Sequence, residues 1–293
     1  MKILLKSIYH IIPFKKSIFM CLRLLHLPES IYKHLYFKGI FNVDIGEDKA
    51  FKINHFGFQV ENDIFWSGIF GRWEKDSLFL WSKLCEKSSV IFDIGANTGV
   101  YSLVAKAVNK NNKVYAFDPV ERVYNKLLQN IQLNNYDINS YQIALSDNTG
   151  TAIIYDTDSE HTYSVTVNQN LNVTNNTIIE VSIETVRLDE FIKKNKISKI
   201  DLIKIDVETH EPEVLEGMGV YLKEFKPILL IEILNDEIAN KIEKLINGID
   251  YLFFNLNEQG SIKKVEGLTQ SDFRNFLICS REVAQDLNLI DEY

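Results

Sequence analysis

From about residue 90 the chain alternates short apolar runs with amphipathic stretches. Val90-Ile-Phe-Asp-Ile94 is almost wholly apolar and stops at Gly95, the pattern of a strand buried on both faces. Thr98 to Asn109 then sets Val100, Leu103, Val104, Ala107 and Val108 on one helical face. Lys113-Val-Tyr-Ala-Phe117 predicts a second strand. A second helix, from about Glu121 to Asn134, turns Val123, Tyr124, Leu127, Leu128 and Ile131 inward. Tyr141-Gln-Ile-Ala-Leu145 predicts a third strand. This order implies a parallel sheet with right-handed crossovers.

The pattern changes between residues 149 and 187. Ile179, Val181 and Ile183 alternate with Glu180, Ser182 and Glu184, as in a half-exposed antiparallel strand. Five asparagines (168, 170, 172, 175 and 176) mark 166–177 as a turn or loop, so 149–187 is expected to be a β-rich insertion. The α/β pattern resumes with a helix from Leu188 to Lys194 and a strand from Ile200 to Ile205. Pro212 suits the first turn of the next helix. Ile228 to Ile231 predicts a fifth strand and Ile238 to Ile246 a helix. Tyr251 to Leu256 and Phe276 to Cys279 predict two closing antiparallel strands. The expected fold is α/β: a doubly wound, mostly parallel sheet of about seven strands over residues 65–293. A helical, basic segment and lead-in, residues 1–64, precedes it.

Composition narrows the possibilities. The 293 residues are 46% hydrophobic and 25% charged, which fits a globular chain. A net charge of −8 argues against a nucleic-acid partner, which needs basic surface. The first 38 residues nevertheless carry seven Lys and Arg against Glu29 alone, a charge of +6, and leave −14 on the remainder. Cys21, Cys85 and Cys279 are isolated, without a CxxC pair, so neither a disulfide framework nor thiolate metal binding is expected. The N-terminus, broken by Lys6, His10, Lys15 and Lys16, does not read as a cleavable signal. No apolar run reaches the length of a membrane span. The sequons at Asn172 and Asn175 read as chance matches. A cytoplasmic location is expected.

The sharpest local signal is Asp93-Ile-Gly95-Ala96-Asn97-Thr-Gly99, which follows a strand and opens a helix. A dinucleotide turn needs G-x-G-x-x-G with a pyrophosphate on the helix N-terminus. Here the glycines are spaced G-x-x-x-G, and an acid two residues before the first would repel a pyrophosphate. It suits a cofactor with an ammonium and no phosphate, which describes S-adenosylmethionine. Asp118 ends the second strand about 20 residues past the glycines, where an acid can bind ribose hydroxyls of either cofactor type. Asp118 can equally cap the helix that Pro119 begins.

Several further segments share one resemblance. Phe92-Asp-Ile-Gly-Ala-Asn97, Asp118-Pro119, Ala144-Leu-Ser-Asp147 and Leu188-Asp-Glu are followed by Lys204-Ile-Asp206-Val-Glu208. Glu211-Pro-Glu-Val-Leu-Glu-Gly217 and Pro227-Ile-Leu-Leu-Ile-Glu232 complete the run. Over about residues 65–235 this resembles the FkbM-type methyltransferase family. The resemblance implies the class I, Rossmann-like methyltransferase fold and methyl transfer to oxygen, often on a sugar or polyketide hydroxyl. It implies that Asp93, Gly95, Asn97, Gly99 and Asp118 correspond to cofactor-binding positions. Ala96 within the turn, Ala144 and Glu74 complete the expected cofactor set. Two positions depart from the family pattern: Thr209 stands where Gly is usual, and Asp118 where Glu is more frequent.

Asp206, Glu208, His210 and Glu232 all fall at the carboxyl ends of strands, where ligands of such sheets bind. A general base would assist a weakly nucleophilic hydroxyl. His210 has the intrinsic pKa for that role, with Asp206 or Glu208 orienting it or holding the acceptor; these three are the expected catalytic residues. The plainer alternatives are a surface His210, and helix capping or ion pairing by the two acids. His161 in the insertion could also face the acceptor. No resident metal is expected, because one short segment cannot supply octahedral ligands.

Phe65 to Glu74 is rich in aromatics and glycine and reads as a lid over the cofactor or a plug on the sheet edge. Residues 1–38 mix Lys with Ile, Leu and Phe. They can form a helical cap on an acidic domain or make peripheral contact with an anionic inner-membrane surface. The competing functional readings are a non-catalytic binding protein of the same fold and a dehydrogenase, the latter disfavoured by the glycine spacing.

Overall fold

A computed structural model describes residues 13–157 and 178–291. His161, both sequons and the Asn-rich stretch lie outside the described residues. The chain divides into two compact units, residues 1–73 and 74–293.

The first unit contains helices α1 (Lys15–Arg23) and α2 (Glu29–Tyr32), strands β1 (Gly39–Gly46) and β2 (Lys49–His55), and helix α3 (Gln59–Ser67). β1 and β2 form an antiparallel hairpin, which the sequence pattern did not announce. Its two-residue loop is Glu47-Asp48, with φ of 53° and 58°, and lacks the Asn-Gly signal usual for such turns. Phe65 and Trp66, which open the aromatic stretch, pack within this unit's own core. Phe65 stands edge-on to Phe41 and Phe37, and Trp66 stacks on Tyr32 while its indole N–H donates to the Leu35 carbonyl.

The second unit begins with α4 (Lys75–Lys87), β3 (Val90–Ile94), α5 (Val100–Val108), β4 (Lys113–Phe117), α6 (Glu121–Asn134) and β5 (Ile138–Tyr141). β6 (Ala144–Ser146), β7 (Gly150–Thr157) and β8 (Ile178–Arg187) follow, then α7 (Leu188–Lys194) and β9 (Leu202–Ile205). The chain continues through α8 (Glu211–Met218), α9 (Val220–Phe225), β10 (Ile228–Glu232), α10 (Asp236–Ile246), β11 (Tyr251–Asn257), β12 (Ser261–Val265), β13 (Asn275–Ser280) and α11 (Arg281–Asp286).

The main sheet has the order β12-β11-β13-β10-β9-β3-β4-β5. β5, β4, β3, β9 and β10 are parallel, and β13, β11 and β12 add antiparallel neighbours. The doubly wound plan is as expected, but among the described residues the sheet has eight strands, not seven. The extra one, Ser-Ile-Lys-Lys-Val, is a polar edge strand with no apolar run to reveal it, and its lysines suit an exposed edge. The expected third strand is also cut in two. Its pairing with β4 ends at Tyr141, and Ala144–Ser146 leaves to pair with β8 in a separate three-stranded sheet with β7.

β3 is the middle one of the five parallel strands, and the chain winds outward from it to β5 before returning to β9 on the other side. That reversal brings two backbone segments together. Gly95, at φ 80°, sits where a Cβ would overlap the Asp206 carbonyl oxygen. A Cβ added at Gly99, at φ 90°, would come within 2.5 Å of a Leu127 methyl. Both glycines are therefore demanded by the protein's own packing, besides any ligand.

After β9 the chain makes a loop with two non-glycine residues at positive φ, Glu208 (52°) and Thr209 (83°). A β-branched residue there is strained. This is the position where the family resemblance leads one to expect glycine. Thr209→Gly is expected to stabilise the fold by about 1 kcal/mol, strain relief exceeding the added chain entropy. Gly95→Ala is expected to cost about 3 kcal/mol or more, because the clash is with backbone. Urea denaturation of both variants checks these opposite signs.

Candidate active site

The sheet order reverses between β3 and β9, and the crevice outside the carboxyl ends of such strands is where ligands bind. An open groove of about 890 Å³ lies at the other end of the strands, lined by Leu84, Ser88, Asp201, Phe225 and Val283 among others. Its Asp201 carboxylate accepts from the backbone N–H groups of Ser89 and Val90 and holds the start of β3.

At the carboxyl end, the turn after β3 satisfies its own amides. Gly95 and Ala96 both donate to the Phe117 carbonyl, at 3.0 and 2.9 Å, and Gly99 donates to Ala96 at 2.8 Å. Asn97, at φ 52°, donates its N–H to Asp118 Oδ2 at 3.1 Å, and its own side chain accepts from the Thr98 N–H at 2.7 Å. Five consecutive N–H groups thus have partners inside the protein. Asp118 also accepts from the Val120 N–H at 3.0 Å, so it braces both the turn and the chain entering α6. Burial pushes its carboxyl up to about 7.

Asp93 is 1% exposed and lies beneath the turn. Its carboxylate accepts from Ser102 Oγ at 2.6 Å, tying α5 to β3, and burial pushes it up to about 6. Beside it in the sheet register stands Lys204, whose side chain is 2% exposed. The Lys204 ammonium is 3.1 Å from Asp206 Oδ2 and 5.0 Å from the centre of the Tyr101 ring. Burial opposes its charge, but Asp206, Glu74 and Glu232 hold it protonated, above the ordinary lysine range. Glu74 accepts from the Tyr101 hydroxyl at 2.5 Å, and burial raises its carboxyl despite Lys204. The Trp81 indole N–H donates to the Tyr101 carbonyl and fixes α4 against α5.

One strand over, Glu232 is three-quarters or more buried at the end of β10. Burial, reinforced by Asp206, pushes it up to about 8; Glu208 and Glu211 act in the same sense and Lys204 opposes them. Arg274 stands 3.9 Å away. Glu211 staples the loop after β9: one oxygen accepts from the N–H groups of Val207 and Thr209, both at 3.2 Å. Its other oxygen is buried without a partner among the described residues, and burial pushes the carboxyl up to about 7.

The structure therefore gathers Glu74, Asp93 and Asp206 about Lys204, with Glu208 near Glu232. Gly95, Ala96, Asn97, Gly99 and Asp118 form the adjoining turn. His210 points elsewhere: Nε2 is 3.0 Å from Ser146 Oγ and Nδ1 is 3.6 Å from Glu213, and burial lowers its pKa. Ala144 packs on the small cluster of Val120, Val123, Ile154 and Ile183. Lys204, Tyr101, Ser102 and Glu211 were not anticipated as site residues. Lys204 had a usable signal, since a cation inside an apolar strand requires a buried partner. Tyr101 and Ser102 had none. Among the described residues no group of three or more His, Cys, Asp and Glu is arranged to hold a metal ion.

Comparison with known proteins bears directly on this site. The methyltransferase FkbM domain model matches residues 93–259. The hexuronic acid methyltransferase AglP of Haloferax volcanii is 28% identical over 147 residues, 50% of this chain and 57% of AglP. Methyltransferase sdnD of Sordaria araneosa is 27% identical over 154 residues, 44% of this chain and 60% of sdnD. The chain thus matches somewhat over half the length of these relatives. A crystal structure of an FkbM methyltransferase from Methylobacillus flagellatus aligns with a TM-score of 0.41 at 17% identity, covering 65% of this chain and 43% of that one. The family model takes in the cofactor turn, the loop after β9 and Glu232, more than half of the chain, and the chain belongs to the FkbM methyltransferase family.

Proposed function

We propose that the chain transfers a methyl group from S-adenosylmethionine to a hydroxyl oxygen of a sugar or glycan. The observation that carries the cofactor assignment is the saturated turn. A pyrophosphate needs free N–H groups, and those of residues 95–99 already have partners within the protein. A cofactor without phosphate makes no such demand. Asp118 fits ribose hydroxyls, because a buried carboxylate with a raised pKa gains from two added donors. Asp206, one-third exposed, fits the cationic end of the cofactor, with Glu74 and Asp93 deepening the negative field behind it. Gly95, Ala96, Asn97 and Gly99 supply the shelf, and Ala144 a wall near the Asp118 side.

When bound, S-adenosylmethionine supplies an electrophilic methyl group on a sulfonium sulfur. The chain's residues must then place a hydroxyl oxygen in line and take its proton. Glu208 is proposed to hold the acceptor. His210 serves through Ser146, fixing the end of the loop. Glu232 is better placed than His210 to accept the proton, lying beside Asp206 at the strand ends. The sugar acceptor is supported by the name of AglP.

Calorimetric titration tests the cofactor. S-adenosylmethionine is expected to bind saturably and NADH not at all; Asp118→Asn is expected to weaken binding about tenfold or more by removing charge-assisted hydrogen bonds. Binding of NADH instead would overturn the assignment. A pH profile tests the base. Only the ionised Glu232 accepts a proton, so the rate of methyl transfer to a panel of glycosides is expected to climb with pH and level off above about 8. Glu232→Gln is expected to lower kcat by about 10²–10⁴-fold and to remove that inflection. A profile identical in the variant would exclude Glu232 as the base.

A further inference from the structure

Six of the eleven large apolar side chains that stand exposed among the described residues fall between Phe14 and Ile31. The other five are scattered singly, which is ordinary. The six are not scattered. Phe19 is the buried residue of α1, its ring 5.7 Å from that of Trp66. At 3.6 residues per turn, the arc opposite Phe19 carries Ser17 and Cys21, with Ile18 and Met20 at its two margins. Phe14 and Leu24 extend the same arc just beyond the helix ends, 81% and 79% exposed, and Leu25 follows at 66%. The helix thus turns its apolar arc away from the unit that anchors it, the reverse of a surface helix.

Charge indicates what covers that arc. Lys15, Lys16 and Arg23 lie on the half of the helix nearer Phe19, flanking the apolar arc, and Lys33 follows. Glu29 is the one acid in the first 38 residues, and it is neutralised by Arg72 at 2.5 Å. An arc bordered by one sign of charge disfavours pairing with a copy of itself. It fits a layer with an anionic surface and an apolar interior. The long basic side chains can reach headgroups while the outward arc sits at the acyl boundary. Nine residues cannot cross a bilayer, and no described helix is long and apolar enough to do so.

We propose that the outward face of α1, extended by Phe14, Leu24 and Leu25, docks in the plane of an anionic lipid surface. The surface lies wholly within the first unit and does not depend on the methyl-transfer reading.

The test is co-sedimentation of the full chain with vesicles of phosphatidylcholine, alone or doped with phosphatidylglycerol. The wild type is expected to pellet with the doped vesicles and to be released by high salt. Ile18→Glu with Leu24→Glu is expected to abolish pelleting, and Lys16→Gln with Arg23→Gln to weaken it about thirtyfold. Circular dichroism and the S-adenosylmethionine titration, both unchanged in the variants, show that loss of pelleting is not loss of folding. Absence of wild-type pelleting with doped vesicles would overturn the proposal, as would pelleting indifferent to all four substitutions. So would a dimer in sedimentation velocity that the Ile18 and Leu24 substitutions dissolve while vesicle binding is absent.

Discussion

The ammonium of Lys204 is the interaction on which the reaction end of the sheet depends. It is a cation inside an otherwise apolar strand, in register with Asp93 and Leu230 and reaching Asp206. Without it, Glu74, Asp93, Asp206 and Glu232 would be acids crowded into a poorly hydrated volume, and several would have to stay protonated. With it, Asp206 has a cation at 3.1 Å while standing at the edge of solvent. A buried pair of this kind adds little net stability, because desolvation offsets most of the attraction. Its value here is geometric: it fixes where negative charge stands relative to the turn after β3.

Around that centre the polar groups divide the work. Asp118 braces the turn from one side, and Glu211 braces the loop after β9 from the other. Between the two, Gly95 lies against the Asp206 carbonyl, so turn and loop form one continuous piece of backbone packing. Asp206, Glu208 and Glu232 stand at its upper edge, at the carboxyl ends of β9 and β10. His210, attractive by its intrinsic pKa, is drawn into the contact with Ser146.

The parallel strands and the turn were legible because each has a local signal: an unbroken apolar run, an acid, and glycines at a fixed spacing. The hairpin of Gly39–His55 was not, because its loop uses Glu47-Asp48 at positive φ. The edge strand Ser261–Val265 was not, because it buries almost nothing. The break after Tyr141 reflects competition between two sheets for one apolar segment, a tertiary effect that periodicity cannot express. In the site, side chains carried by the motif were found, and those that reach it from a helix face, Tyr101 and Ser102, were not. The depth at which Asp93 lies beneath the turn follows from packing that only the assembled sheet reveals.

The first helix of the second unit has its N-terminus held by Glu258, which accepts from the Asp76 N–H at 2.8 Å and from the Ser77 hydroxyl, while Asp76 accepts from the Gly260 N–H at 2.8 Å. The last strand, β13, lies between β10 and β11, inside the sheet. The unit's beginning is thus finished by its end. On a ribosome, β3 to β10 emerge with α4 still uncapped and the β10 edge unpaired. Until residues 275–280 have been made and inserted beside β10, the nascent sheet exposes an open edge to whatever chaperone or neighbour meets it first.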